Sequence, residues 1–297
     1  MRSLWITALC SLMTLSLWAG EPEMKKTYGQ MTRPEINQLL KETCQKPLSN
    51  AQKIEFYSDR FLGTPYELTC EGDGPYALYE TMPLINLEKT NCMCMVEIVL
   101  AMSLSSNYEE MFNVLQHIRY RQGLIGMATR NHYTIADWLP ANQWCLDDVS
   151  SRVGGRYCKP LTRIISHREF FKSKGITDIE DMLPDRTLTI QYIPKEDLLK
   201  IQDKLHSGDL VSIIMDKPGI FSAHMGLIIK KDGKTYFRHA SQAAMTTLDQ
   251  PFDDYVNSLM KNPKRLGMVF MRVKEKVNWK IKDNPQHGKI SLKDIKD

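Results

Sequence analysis

Neither sign of charge dominates this chain. Its 297 residues hold 39 Lys and Arg against 35 Asp and Glu, a formal net charge of +4. Arg2 supplies one of those charges, and 274–297, with seven Lys and four acids, supplies three, so the body between is formally neutral. A neutral body excludes the clustered basic face that nucleic-acid binding requires. Long apolar runs are equally few. One stretch, Leu4 to Trp18, follows a single cation and precedes small residues and a polar segment from Glu21. Fifteen residues fall short of the roughly 20 that a bilayer-spanning helix needs, and suit the apolar region of a secretory signal. Residues 1–20 are therefore expected to be a signal peptide, the alternative being an N-terminal anchor, with no integral span after cleavage and a periplasmic or secreted product. Zinc-finger spacing is missing too. The close cysteine pair, Cys92-x-Cys94, has one residue between its thiols where zinc sites usually have about two to four.

What is present is a core. Hydrophobic residues make up 42% and charged residues 25%, the composition of a globular protein able to bury a sizeable interior. No repeat, low-complexity segment or composition break divides it. A single catalytic domain is expected over 21–273, with 107–195 as an insertion-like elaboration of helices and loops and 274–297 as a Lys-rich solvated tail. After Cys10 in the leader, six cysteines remain: Cys44, Cys70, Cys92, Cys94, Cys145 and Cys158. A chain of this length does not depend on disulfides, but Cys145 and Cys158 flank a Gly154-Gly155 turn and make the best candidate bridge.

Local signals give an α+β class. Thr32-Arg33-Pro34-Glu35 is a capping box opening a helix to about Cys44, with Ile36, Leu39, Leu40 and Cys44 on one face. Asn50 is expected to cap a second helix running through Phe61 and stopping at Gly63. Residues 92–104 are apolar on nearly every side, which predicts a buried helix. Lys195 to His206 reads as helix and Leu210 to Met215 as strand. Ala223–Lys230 and Thr235–Ala240 form a hairpin around Asp232-Gly233. A helix near Phe252–Met260 and a strand, Gly267–Val273, close the pattern. Helices first and an antiparallel sheet after define the class.

Two placements suggest chemistry. Cys92 begins the buried helix, where unpaired N–H groups favour a thiolate; on position alone it is either a nucleophile or a structural cysteine. A symmetric hairpin loop at 232–233 pairs residues whose numbers sum to 465, so His224 faces Ser241 and lies diagonal to His239 on the same face. Diagonal neighbours stand about 7–8 Å apart, within imidazole reach. One histidine can act as base for a thiol while the other orients it.

Phe61-Leu62-Gly63-Thr64-Pro65-Tyr66, Asn91-Cys92-Met93-Cys94-Met95-Val96-Glu97, Ser207-Gly208-Asp209-Leu210, Ala223-His224-Met225-Gly226 and His239-Ala240-Ser241 follow one another in the order of the NlpC-type, papain-like cell-wall peptidases. With Arg130-Asn131-His132-Tyr133-Thr134-Ile135-Ala136-Asp137-Trp138, the chain resembles most closely the N-acetylmuramoyl-L-alanine amidase-like branch, over roughly residues 30 to 273. The resemblance implies a papain-like fold with the nucleophile at the N-terminus of a buried helix packed on an antiparallel sheet. It makes Cys92 the nucleophile, His224 the base, His239 the orienting residue and Tyr66 a hydroxyl beside the oxyanion. Asn91 replaces the usual Asp, and Cys94 and Met95 replace Thr and Phe, so a rival thiol stands two residues from Cys92. About 200° of helix rotation separates the two.

Arg119, Tyr120, Arg121, His132, Tyr133, Asp137 and Trp138 are candidates for holding a peptidoglycan substrate, since cations suit stem carboxylates and aromatics suit sugar faces. Each is equally explained as a packing or loop-locking residue. The expected activity is hydrolysis of an amide in peptidoglycan, by preference the N-acetylmuramoyl-L-alanine bond, by a monomeric exported cysteine amidase without metal or other cofactor. Alternatives are an L-alanyl-D-glutamate endopeptidase, an inactive wall-binding module, and a Cys/His zinc protein built on Cys92, Cys94, His224 and His239.

Overall fold

The structure, a computed structural model, describes residues 25–179 and 182–277. The expected leader and the tail beyond residue 277 lie outside the described residues. Eight strands form an antiparallel sheet in the order β2-β3-β8-β4-β5-β6-β7, with β1 pairing β8 beside that path. They are β1 (Leu146–Asp148), β2 (Lys159–Ile165), β3 (Arg186–Pro194), β4 (Leu210–Met215), β5 (Ser222–Lys231), β6 (Lys234–Ser241), β7 (Thr246–Pro251) and β8 (Arg265–Val273). The helices are α1 (Arg33–Cys44), α2 (Asn50–Ser58), α3 (Cys92–Ser103), α4 (Tyr108–Arg119), α5 (Leu139–Ala141), α6 (Ser150–Gly154), α7 (His167–Ser173) and α8 (Phe252–Met260). The class is α+β, as the local signals require.

The central strands are buried on both faces. Along β5, Met225, Leu227 and Ile229 join the core cluster that contains α3, whereas Ile228 joins the cluster under α8. Strand β8 alternates likewise, Val269 and Met271 against Met268 and Phe270. Side chains of period two feed two layers, so the strands read as nearly unbroken apolar runs. Helix α3 lies between α2, α4 and the sheet at β5 and β6, and all its residues from Cys94 to Ser103 are buried.

Several expectations change. Ser49, not Asn50, caps α2, accepting from the Gln52 N–H in a capping box; Asn50 instead reaches Lys274 O through its amide at 2.8 Å. Residues 59–61 continue α2 as a 3₁₀ turn. Lys195–Lys204 winds as 3₁₀ rather than α-helix. The stretch 107–195 is more than helix and loop: it contributes β1, β2 and β3, and β3 joins β8 at Ile193–Met268 and Pro194–Gly267. Cys145 and Cys158 are free; Cys145 Sγ bonds Asn142 O at 3.4 Å and Cys158 Sγ bonds Ser150 O at 3.3 Å. Cys44 is half-buried at the end of α1 rather than sunk in the core.

Candidate active site

The chain segment before α3 is anchored by backbone pairing at its start and its end. Gly63, at φ 80°, turns the chain where an L side chain would be strained. Pro65 then bridges Thr246, and Tyr66 runs parallel to Thr90. Thr90 N donates to Pro65 O and Glu67 N to Thr90 O, both at 3.0 Å. Tyr66 is thereby held two residues from the start of α3. Asn91 caps that helix, its Oδ1 accepting from Met93 N and Cys94 N at 2.9 Å each. Its Nδ2 donates to Leu68 O at 2.9 Å and toward Cys70 Sγ at 3.8 Å. An aspartate would cap equally well but has no hydrogen for those two acceptors, which accounts physically for asparagine here.

Cys92 is partly buried at the first turn of α3. The β5–β6 ladder runs from Lys231–Lys234 to Leu227–Arg238, every pair summing to 465, and ends there. Just past that point the Met225 N–H is directed at the Cys92 sulfur and favours its anion, as do the N–H groups of Met93 and Cys92 itself. Burial nevertheless dominates and pushes the thiol above its ordinary value, with the neighbouring Cys70 adding in the same direction. This corrects the expectation of a thiolate at rest: the helix start helps, but desolvation outweighs it.

The two histidines meet beyond the paired part of the hairpin, His224 pairing with Ile213 of β4 and His239 with Leu248 of β7. His224 Nε2 and His239 Nδ1 lie 2.8 Å apart, with ring centroids at 5.0 Å and planes at 86°. His239 stacks on Phe237 at 4.8 Å and meets Tyr255 of α8 at 5.3 Å. Burial lowers His224 to about 3, helped by the charges of His239 and Arg265. Burial lowers His239 to about 4, opposed by the Gln250 side chain, which favours the charged ring. Both rings are therefore neutral near pH 7. Tyr66 is 9% exposed, and its hydroxyl is raised by burial first and then by the charge of Cys92. Tyr255 is raised by burial too, with Cys92 contributing. Tyr66 and Tyr255 thus both lie near Cys92 at the start of α3, and α3 packs on β5 and β6, the strands that carry His224 and His239.

Cys94 points elsewhere. Its sulfur lies 3.8 Å from Cys70 Sγ, and it lines a cavity of about 580 Å³ together with Asn91, Met93, Arg119, Arg130 and His132. The Cys92-x-Cys94 pair does not converge on the histidines, and no group of three or more His, Cys, Asp and Glu among the described residues is placed to hold a metal.

The remaining expected residues divide. Arg119 is buried, bonding Glu97 Oε2 at 2.8 Å, Leu84 O at 2.7 Å and Glu71, so its charge is spent within the wall of the cavity. Tyr120 is in the core, donating to Asp73 Oδ1 at 2.7 Å. Arg121 braces its own loop through Ala128 O. His132 bonds Met127 O at 2.7 Å and is lowered to about 4 by burial. Tyr133 donates to Ser166 O at 3.0 Å. Asp137 joins His167 at 2.9 Å, Tyr133 N at 3.0 Å and Arg186, and Trp138 has no exposed surface. Only Arg119 and His132 of this set line the cavity. Sequence reading missed Cys70, Glu71, Glu97, His167, Gln250 and Tyr255. Only His167 and Glu97 carried a signal, as titratable residues inside apolar stretches.

The protein is α+β, and its candidate centre comprises Cys92 at a helix start and a histidine pair on the antiparallel sheet. Residues 56–262 match the model of the AmiA-like family, described as N-acetylmuramoyl-L-alanine amidase-like, and the chain belongs to that family. A crystal structure of an N-acetylmuramoyl-L-alanine amidase from Bacteroides uniformis ATCC 8492 is similar at 28% identity and a TM-score of 0.62, covering 76% of this chain and 99% of that one. A protein from Legionella pneumophila str. Philadelphia 1 shares the fold at a TM-score of 0.75 and 23% identity, over 82% of this chain and 95% of that one. No curated protein matches the chain.

Proposed function

We propose that the protein is an exported cysteine amidase of the NlpC-type, papain-like kind that hydrolyses the N-acetylmuramoyl-L-alanine bond of peptidoglycan. Family membership supports the substrate class, and the 2.8 Å contact between His224 and His239 beside the Cys92 helix start carries the mechanism.

The hydrogen-bond chain assigns tautomers. For His224 to accept a proton at Nδ1, its Nε2–H must donate to His239 Nδ1. His239 then carries its hydrogen on Nε2, a buried atom with no hydrogen-bond partner, and the Gln250 side chain nearby favours the charged ring. Because thiol and imidazoles are all neutral at rest, the Cys92 proton passes to His224 Nδ1 as sulfur attacks the carbonyl carbon. The tetrahedral oxyanion faces the Cys92 N–H and the Tyr66 hydroxyl. Imidazolium returns the proton to the alanine nitrogen, which leaves, and water assisted by the same ring hydrolyses the thioester. Arg119 acts through the cavity wall, while Arg121, Tyr120, Tyr133, Asp137 and Trp138 hold the loops that shape it; His132 faces the cavity itself.

Digestion of a defined muramoyl-tetrapeptide, read by mass spectrometry, tests the bond. Release of intact tetrapeptide with a free alanine amine is expected, and the free tetrapeptide alone should be inert. Cleavage after alanine, at equal rates on both substrates, would replace this reading with the endopeptidase.

A further inference from the structure

We propose that Cys70 and Cys94 form a disulfide that ties the Tyr66–Cys70 segment to the first turn of α3 and encloses Cys92 in its ring. The inference does not depend on which bond the Cys92 site cleaves.

Their sulfurs lie 3.8 Å apart, in contact but unbonded. A disulfide needs about 2.05 Å, so closing it brings the two sulfurs roughly 1.8 Å nearer. The other described thiols besides Cys92 are each engaged with a nearby carbonyl: Cys44 with Lys41 O, Cys145 with Asn142 O and Cys158 with Ser150 O. Cys92 faces Met225 on the opposite side of its helix turn. Cys70 is fully buried, whereas Cys94 is 7% exposed and lines the cavity, so an oxidant entering there meets Cys94 first. Cys70 is the group poised to resolve: the Cys94 thiol and the Asn91 side both favour its anion.

The chemistry is thiol–disulfide exchange with a low-molecular-weight disulfide. The Cys70 contact and burial hold the Cys94 thiol well above its ordinary value, so the small share that ionises attacks one sulfur of the reagent and expels the first thiolate. Cys70 thiolate then attacks Cys94 Sγ in the mixed disulfide and expels the second. Two protein S–H bonds are lost, one S–S bond is exchanged for another, and two small thiols leave with the two protons. The product also removes the Cys70 charge that opposes ionisation of Cys92.

The test uses the full chain incubated with hydroxyethyl disulfide, free thiols blocked with N-ethylmaleimide in acid denaturant, and non-reducing mass mapping. Trypsin isolates Cys70 from Cys44, and cyanogen bromide cleavage at Met93 separates Cys92 from Cys94. Cys70 joined to Cys94, with Cys92 maleimide-blocked, is the expected result, unchanged in Cys92→Ser. Closing a ring of this size should raise the melting temperature by about 5–10 °C, reversed by dithiothreitol. Maleimide on both Cys70 and Cys94, or either thiol joined to Cys92, overturns the proposal. An unshifted melting temperature in the bridged protein overturns its stapling role.

Discussion

Two thiols separated by a single residue divide their roles by direction. Cys92 turns to the Met225 N–H, next in sequence to His224, and Cys94 to Cys70 and the cavity. Cys92→Ala should therefore abolish turnover, a loss on the order of 10⁴–10⁶ in rate, as when such a unit is broken. In the reduced protein Cys94→Ala should keep most activity and lose about 1 kcal/mol of stability, the packing of one small side chain. An active Cys92→Ala with a dead Cys94→Ala would reverse the assignment. The raised Cys92 thiol gives a second expectation. Alkylation needs the thiolate, so the rate with iodoacetamide should climb about tenfold per pH unit from pH 7 to beyond 8. A rate that is flat across that range would show an ion pair at rest. The histidine pair was legible because the register follows from one turn dipeptide. The thiol's ionisation was not, since it depends on burial contributed by Tyr66, Tyr255 and the β5–β6 opening, all remote in sequence.

At the scale of elements, the sequence was readable wherever a local rule decided. The capping box of α1, the apolar run of α3 and the Asp232-Gly233 turn, with Asp232 at φ 50° and Gly233 at φ 71°, behave as written. Strand β7 escaped because the turn before it places Met245 at φ 54° with no glycine to announce it. Strand β3 did carry a signal: Leu188, Ile190 and Tyr192 alternate with Thr187, Thr189 and Gln191. β7 matters because it carries Gln250, opposite Phe237 and diagonal to His239. Gln250→Leu removes the polar side chain that favours the charged His239 ring. It should cut kcat by about tenfold or more with KM little changed, shift the acid limb of the kcat profile, and recover with Gln250→Glu. An unchanged profile with normal turnover would remove Gln250 from the relay. Asn91→Ala tests the neighbouring element: losing the cap should cost about 1 kcal/mol, read from denaturant midpoints, while Asn91→Asp keeps the cap and loses the donor to Leu68 O. Equal stability of Asn91→Ala and wild type would deny the cap its role.

For the whole molecule, the same burial that keeps the site neutral makes the fold acid-sensitive. His224 lies at about 3, and His239 and His132 at about 4, each lowered chiefly by desolvation. In the unfolded chain these rings titrate near 6.5. Folded values below unfolded ones mean that the unfolded state binds the extra protons as pH falls. The stability they contribute is complete above about pH 6.5 and drains away between there and pH 3–4. Each ring adds a slope of up to about 1.4 kcal/mol per pH unit in that window. His224 and His239 do not titrate independently, being bonded to each other, so proton uptake belongs to the pair. Asp137, held down by His167 and Arg186, and Asp249, held down by Arg238, push the same way at the acid end. Urea unfolding from pH 8 to 4 should give a flat stability down to about 6.5 and then a decline corresponding to uptake of two to three protons. His239→Asn, which leaves no ring to charge, should flatten part of that slope. Stability unchanged between pH 7 and 5 would mean that the rings reach solvent, and the neutral proton relay from Cys92 to His224 would fall with it.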